Sequence, residues 1–362
     1  MRGIFGSLPY ILLTLSRGYF INAMCSKPTE RIDTHVHFVL PVWREALIRY
    51  GHEKPDGMPG IPEWNVDDHL EFMRKANISK SILSITSPGA NLDPNGPEQG
   101  RQLSRACNEY AAELKRQYPD KFGFWASLPL PDLQGSLEEL KYALDVLDAD
   151  GVAVMTNAHG TYLGDSSLDE LYRVLDERKV RVFMHPTSPC IKEDGAAPRS
   201  AAPLSQYPNP TFEFFFDTAR AVINLFYSGV VQRSPGITFM VCHAGGALPP
   251  MIDRFTTFSS ILPSTIQVGK DEVIKAFNTQ FYFDLAGIVF PDQIKGLLSY
   301  VDARRITYGS DYPFTPADVA IGLVKTAEIY VPQNFPDTYD QDLVWKGNAL
   351  RLLGGEEESD KV

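Results

Sequence analysis

Eight short apolar, β-branched runs recur along the chain, and each is followed by a stretch with helical spacing. These runs cover residues 31–38, 79–86, 122–128, 151–156, 181–187, 237–245, 281–287 and 306–311. Strands that alternate with helices pair in parallel, and eight such units close into a barrel. The pattern therefore predicts an α/β fold, a (β/α)8 TIM barrel. A doubly wound open sheet is the alternative, but no glycine-rich phosphate loop follows any of the predicted strands.

Two connections in this barrel are long. Residues 39–65 follow the first predicted strand and residues 188–211 follow the fifth, and both are rich in proline or glycine. Both leave the C-terminal ends of strands, which is the face where barrel enzymes carry their sites. We expect one barrel domain over residues 24–354, preceded by an extension over 1–23 that lies outside the fold and followed by a disordered tail over 355–362.

Composition restricts the partners and the compartment. The chain has a formal net charge of −11 and no cluster of lysine and arginine, which argues against a nucleic-acid partner. The apolar run "PYILLTL" near the start is far shorter than a membrane helix needs. The four cysteines show no paired spacing, as is usual in a reducing compartment. We expect a cytoplasmic protein; a membrane-associated or secretory route through residues 1–23 is the alternative.

The stretch "RIDTHVHF" places three ionisable side chains on one strand face. Asp33, His35 and His37 alternate with apolar residues, and alternate residues of a strand point the same way. Ionisable residues also end later strands, namely His185 in "MHPT", His243 in "CHAGG" and Asp311 in "GSDYPF". Because the C-terminal ends of the strands meet at one face, we expect a single shared site there. Asp33 should lie one pleat deeper than the two histidines.

This group of imidazoles and a carboxylate predicts a metal centre. Three imidazoles and one carboxylate suit Zn²⁺, and Mn²⁺ is the alternative. Barrels that hold two metals usually carry a bridging acid or modified lysine on the fourth strand. The fourth strand here reads "GVAVMTN", which predicts one ion. We expect no organic cofactor.

The motifs "DTHVH", "HPT", "HAGGALPPMIDR" and "GSDYPF" together resemble the amidohydrolase superfamily. Within it they resemble the decarboxylase branch typified by aminocarboxymuconate-semialdehyde decarboxylase. The stretches "EKPDGMPGIPEW" and "DKFGFWASLPLPD" are similar to those of fungal 6-methylsalicylate decarboxylases. The resemblance implies a catalytic role for His243 and for Asp311, and substrate contacts from Arg254 and Phe314. It implies four metal ligands: His35, His37, His185 and Asp311.

The chain departs from the family pattern at two places. The type member of the branch has a tryptophan soon after the histidine of the fifth strand, and we expect Phe212, Phe214 or Phe216 to form that wall here. The related resorcylate-type decarboxylases have an acid where this chain has Gly246. Of the remaining histidines, we expect His52 and His69 to be solvated and His159 to lie in a surface loop, with a place in the pocket wall as the alternative for His159.

The resemblance implies non-oxidative, metal-dependent decarboxylation of a small aromatic carboxylic acid. Its leading form is the conversion of 6-methylsalicylate to m-cresol and CO2 in a fungal polyketide secondary-metabolite pathway, such as mycotoxin biosynthesis. The alternative is a metal-dependent hydrolase of a lactone or an amide. In some members of the family the arginine equivalent to Arg254 reaches the substrate across a dimer interface, so we expect a homodimer.

Overall fold

The computed structural model describes residues 29–192, 196, 198–262 and 266–354. The predicted extension over 1–23 and the tail over 355–362 lie outside the described residues, so both stay predictions. None of the helices in the described part of the chain combines the length and the apolar character needed to cross a membrane.

Eight parallel strands form the centre of the fold and follow one another in chain order. They are β1 (Arg31–His37), β2 (Ile78–Ser84), β3 (Phe122–Ser127), β4 (Gly151–Met155), β5 (Arg181–His185), β6 (Thr238–Val241), β7 (Phe281–Asp284) and β8 (Ile306–Thr307). Backbone hydrogen bonds close the sheet, because Thr34 N donates to Tyr308 O and Asp311 N donates to His35 O, at 3.0 and 2.9 Å. The predicted TIM barrel is confirmed.

Helices surround the strands. They are α1 (Pro41–Arg49), α2 (Val66–Ala76), α3 (Pro97–Gln117), α4 (Leu133–Asp145), α5 (Asp169–Glu177), α6 (Glu213–Tyr227), α7 (Val230–Arg233), α8 (Ile252–Ser259), α9 (Lys270–Phe277), α10 (Gln293–Leu297), α11 (Ala317–Asn334), α12 (Thr338–Asp342) and α13 (Asn348–Leu352). Capping residues mark the first turns of two helices: the side chain of Asn65 caps α2, and the side chain of Asp132 caps α4. Most of these helices, among them α2, α3 and α6, bury an apolar face.

The connection after β1 is more regular than its composition suggests. Helix α1 lies inside residues 39–65, which we expected to form only a long loop. Pro41 stands at the first turn, where a missing N–H costs nothing, and Trp43 and Leu47 are buried one turn apart. In the described part of the connection after β5, Cys190–Ile191 pairs with Arg199–Ser200 in a short antiparallel ladder.

Two layers of buried side chains flank the strands. The outer layer packs strands against helices, and there His69 is buried between Trp64 and Ser81, at 2.9 and 3.2 Å. The prediction that His69 is solvated was wrong, because this face of α2 turns toward β2. The inner layer fills the barrel, where Trp125 stacks on Phe183. Phe183 in turn touches the ring of His35 with 5.0 Å between centroids, so the inner layer forms the floor of the site.

Candidate active site

The ends of β1, β5, β6 and β8 bring the predicted histidines and Asp311 into one cluster. The rings of His37 and His185 lie 4.8 Å apart between centroids, and those of His35 and His243 lie 5.0 Å apart. All four histidines are buried. The sequence-based expectation of a shared site at this end of the barrel therefore agrees with the geometry.

Three histidines and Asp311 are arranged as a metal centre. One ligand atom from each of four residues lies within 4.8 Å of all the others, namely His35, His37, His185 and Asp311. Asp311 Oδ1 is 3.1 Å from His37 Nε2 and 3.5 Å from His35 Nε2. Both Nε2 atoms are buried, and apart from this contact with Asp311 neither makes a hydrogen bond among the described residues. A buried, unpaired imidazole nitrogen is costly unless a cation accepts its lone pair, so the residues fit a metal ion.

The opposite nitrogens of these imidazoles are held by the surrounding structure. His35 Nδ1 is 2.9 Å from Asp284 Oδ2, His37 Nδ1 is 3.1 Å from Ser84 Oγ, and His185 Nδ1 is 2.7 Å from Pro186 O. Such partners fix the tautomer in which Nε2 is free to bind a metal. Asp284 was not predicted, although its position as the last residue of β7 is the same kind of signal that identified the other site residues.

Local backbone strain accompanies the two predicted catalytic residues. His243 and Asp311 adopt φ values of +56° and +59°, a region that non-glycine residues rarely occupy. Such strain persists where the surroundings enforce it and is concentrated at functional sites. Gly309 lies directly against His35, two residues before Asp311. A Cβ at position 309 would lie 2.7 Å from the Cβ of His35. The close approach of β8 to His35 therefore requires glycine.

The electrostatics of the cluster suit metal binding. Burial by itself would raise the pKa of Asp311, but the imidazoles of His243, His35 and His37 hold the pKa of that carboxyl well below its ordinary value. Burial, reinforced by the neighbouring imidazoles, lowers the pKa of His185 well below its ordinary value. An ionised carboxylate and a neutral imidazole are the forms that coordinate metals.

Asp33 lies beneath the cluster, as expected. Its Oδ1 accepts hydrogen bonds from His35 N and Ser310 N, at 3.2 and 3.1 Å. Burial raises the pKa of Asp33 to about 7. The side chain thus ties β1 to the segment that carries Asp311 and does not line the cavity above.

A cavity of about 350 Å³ opens directly over the cluster. His185, His243 and Asp311 form its base, and Phe314 stands beside His37 with 5.8 Å between ring centroids. Phe214 and Phe215 supply the aromatic wall from α6. Of the three phenylalanines expected there, Phe214 lines the cavity, whereas Phe212 and Phe216 do not, and Phe216 is exposed to solvent.

The two departures from the family pattern have structural counterparts. Phe214 and Phe215 approach from a helix distant in sequence, which accounts for an aromatic wall without a tryptophan after His185. Gly246 has φ +56°, and a Cβ there would lie 2.9 Å from the backbone of Phe215. An acid at position 246 would therefore displace the aromatic wall.

Arg254 does not line this cavity within one chain. It lies on α8, is exposed, and places its guanidinium 4.7 Å from the centroid of the Phe258 ring. Any contact between Arg254 and substrate would have to come from a second copy of the chain or from a rearrangement of α8.

A second cavity of about 360 Å³ lies next to the first, above the ends of β3 and β4. His52 and His159 both line it and are half-buried. The expectation that His52 is solvated was therefore wrong. His159 lies in the turn that follows β4, as expected, and the cavity that it lines is not the pocket of the metal cluster. His159 Nε2 is 3.0 Å from Asn91 O.

Comparison with known proteins gives a consistent picture. The family model described as "Amidohydrolase" matches residues 32–355. A 6-methylsalicylic acid decarboxylase from Penicillium expansum is 34% identical over 327 residues, which is 89% of this chain and 96% of that protein. A 2-amino-3-carboxymuconate-6-semialdehyde decarboxylase from Dictyostelium discoideum is 24% identical over 349 residues, 90% of this chain and 91% of that protein.

Solved structures show the same fold. A crystal structure of an amidohydrolase II protein superimposes with a TM-score of 0.79 at 33% identity, over 90% of this chain and 100% of that chain. A dihydroxybenzoic acid decarboxylase from a Polaromonas species, solved with bound manganese and 2-nitroresorcinol, gives a TM-score of 0.72 at 19% identity, over 90% of this chain and 97% of that chain.

Proposed function

The chain belongs to the amidohydrolase family, and on that premise we propose that it is a metal-dependent, non-oxidative decarboxylase of a small hydroxybenzoate. The leading reaction is the conversion of 6-methylsalicylate to m-cresol and CO2, in a fungal polyketide pathway. One observation carries the proposal: a metal-binding cluster forms the base of a cavity whose walls are aromatic. The similarity to decarboxylases over nearly the whole chain supports the same class of reaction.

His35, His37, His185 and Asp311 would hold one ion, Zn²⁺ or alternatively Mn²⁺. When bound, the ion supplies positive charge that lowers the pKa of the phenol and attracts the carboxylate of the substrate. Phe214, Phe215 and Phe314 line the cavity, so they would pack against the substrate ring and shield it from water. This combination orients an aromatic acid with its polar edge toward the base of the cavity.

The difficult step is the cleavage of a bond in the plane of an aromatic ring. Direct loss of CO2 would leave an electron pair that the π system cannot stabilise. Protonation of the ring carbon first removes this obstacle, since the pair of the breaking C–C bond then restores aromaticity. A positioned acid of this kind contributes roughly 10²–10⁴-fold to a rate.

His243 and Asp311 are the two candidates for that acid. His243 Nε2 is 3.9 Å from Asp311 Oδ2, and the imidazole lines the cavity. The neighbouring imidazoles hold Asp311 as a carboxylate, which suits a metal ligand better than a proton donor. We therefore favour His243, with Asp311 as the alternative.

The first test is one incubation of metal-analysed protein with 6-methylsalicylate, in which CO2 and the ring product are followed with and without a chelator. We expect chelator-sensitive release of CO2 together with m-cresol. Release of CO2 only from other hydroxybenzoates would support a hydroxybenzoate decarboxylase but exclude 6-methylsalicylate as its substrate. Hydrolysis of lactones without release of CO2 would contradict the proposal.

Two variants separate the candidate acids. We expect His243→Asn to retain the ion and lose at least about 100-fold in kcat, because the ring proton donor is gone. We expect Asp311→Asn to lose both turnover and part of the bound metal. Full activity in His243→Asn would exclude His243 as the acid and leave Asp311.

A further inference from the structure

Asp56 separates the active-site cavity from the second cavity. Of the described residues, it alone lines both cavities. We propose that Asp56 limits the size of the ring substituent that the active-site cavity accepts. The inference rests on the proposed function, since it concerns a ring substituent of the proposed substrate.

Asp56 joins the two long connections of the barrel. It lies in the connection after β1, and its Oδ1 accepts hydrogen bonds from Ser188 N and Ser188 Oγ, at 3.2 and 2.5 Å. Ser188 belongs to the connection after β5, and its Oγ also accepts from Asn209 Nδ2 at 2.6 Å. These hydrogen bonds join the two connections to each other. We call Asp56 and Ser188 the boundary between the two cavities.

A contact between Ser87 and Thr187 extends this boundary toward the metal cluster. Ser87 Oγ and Thr187 Oγ1 are 2.6 Å apart, and both residues are buried. Thr86, next to Ser87, places its Oγ1 3.2 Å from His185 Nε2. The boundary thus begins beside a predicted metal ligand, where a ring bound at the cluster would carry its substituents.

The backbone fixes the direction of the Asp56 side chain. Asp56 has φ +55°, a left-handed conformation that aspartate tolerates better than most residues. Gly57 follows with φ +81°, and a Cβ there would lie 3.3 Å from Pro208 Cα. The turn therefore cannot rotate easily to move the carboxyl group aside.

The boundary is polar, whereas the floor of the second cavity behind it is apolar. Asp56 is half-buried, and its carboxyl group is hydrogen-bonded to Ser188. An alkyl chain that pushed past it would break the contacts with Ser188 without replacing them. Beyond Asp56, however, the second cavity has an apolar floor that includes Leu128, Ala153 and Met155. Space for a longer substituent therefore exists behind the boundary.

The test compares binding of m-cresol and 3-propylphenol by calorimetry, together with kcat/KM for 6-methylsalicylate and 6-propylsalicylate. We expect the native protein to favour the methyl compounds by at least about 10-fold. Asp56→Gly removes the side chain without strain at positive φ. We expect it to raise the propyl-to-methyl ratio about 10-fold, both in binding and in kcat/KM.

Asp56→Asn is the matched control, because asparagine keeps the size, the left-handed backbone and an oxygen acceptor for Ser188. We expect it to retain the preference for methyl. Ser188→Ala tests the same boundary from the other connection and should relax the preference even if Asp56→Gly folds poorly.

An unchanged preference in both Asp56→Gly and Ser188→Ala would overturn the inference, as would equal gains in Asp56→Gly and Asp56→Asn. Failure of the proposed function is distinguishable, because it would show as no CO2 from any hydroxybenzoate. The phenol binding measurements would still report on the boundary in that case, and absence of phenol binding in all variants would count against it.

Discussion

Asp284 orients the cluster from its side. One oxygen accepts from His35 Nδ1 and the other accepts from His243 N and Ala286 N, at 2.9 and 3.0 Å. A single buried carboxylate therefore positions both a predicted ligand and the turn that carries the predicted acid. Burial by itself would raise the pKa of Asp284, but its interaction with the His35 imidazole lowers that pKa below its ordinary value.

We expect Asp284→Asn to lower metal affinity about 10–100-fold with the fold retained. An amide cannot accept on both sides, so either His35 or the backbone amides lose their partner. Metal titration followed by elemental analysis measures the effect, and circular dichroism checks the fold. Asp292→Asn is the control, because that carboxylate is 81% exposed. Equal metal affinity in the two variants would exclude the orienting role of Asp284.

The sequence predicted the members of the cluster better than their neighbours. His35, His37, His185, His243 and Asp311 could be predicted because a strand end fixes where such a residue points. Phe215 could not, since the rotation of α6 about its axis depends on packing that local spacing does not encode. Asp56 could not be predicted either, because its proposed role depends on the contact between the connections after β1 and β5.

Helix α2 shows how an element can bury an ionisable group. His69 lies on the face that packs against β2, where Trp64 Nε1 donates to its Nδ1 and its Nε2 faces Ser81 Oγ. Both ring nitrogens are satisfied only by the neutral form. Burial accordingly lowers the pKa of His69 to about 3, from an ordinary value of 6.5.

This shift has a definite sign for stability. The unfolded chain binds a proton at His69 below pH 6.5, whereas the folded chain does not until about pH 3. Stability should therefore fall by about 1.4 kcal/mol per pH unit from this group as pH decreases between those values. His69→Gln keeps a donor and an acceptor but does not titrate. Urea unfolding at several pH values measures the free energy of unfolding. Between pH 6 and 4 we expect this free energy to decrease less in His69→Gln than in the native protein. Equal decreases in the two proteins would contradict the role of His69.

The elements themselves were largely predictable from local pattern. All eight barrel strands begin within a residue or two of the predicted runs, because each run is rich in apolar or β-branched residues. Helix α1 was not predicted, since the proline and glycine residues around it indicate a loop. Its burial of Trp43 and Leu47 outweighs that local preference.

At the scale of the whole molecule, α8 presents an unusual surface. Arg254 is surrounded in sequence by exposed apolar side chains, among them Phe258, Ile261 and Leu262. Exposed apolar groups of this kind often mark contacts between subunits. We therefore propose a homodimer in which this face meets its partner and Arg254 approaches the partner's cavity.

We expect Arg254→Ala to raise KM at least about 10-fold, because a charge-assisted hydrogen bond to the substrate carboxylate is lost. The temperature of unfolding should change little, since the guanidinium is exposed. Light scattering gives the oligomeric state and steady-state kinetics give KM. Arg304→Ala is the control, as Arg304 precedes β8 at the other end of the barrel. Unchanged KM in Arg254→Ala would exclude the substrate contact.

The barrel closes where its first and last strands meet, and the metal cluster spans that seam. His35 O accepts from both Ser310 N and Asp311 N, so the carboxylate reaches the imidazoles through the closing contact. A nascent chain still lacking β8 on the ribosome has all of the histidines but no complete site. The cluster of three histidines and Asp311 can therefore be complete only after nearly the entire barrel has left the ribosome.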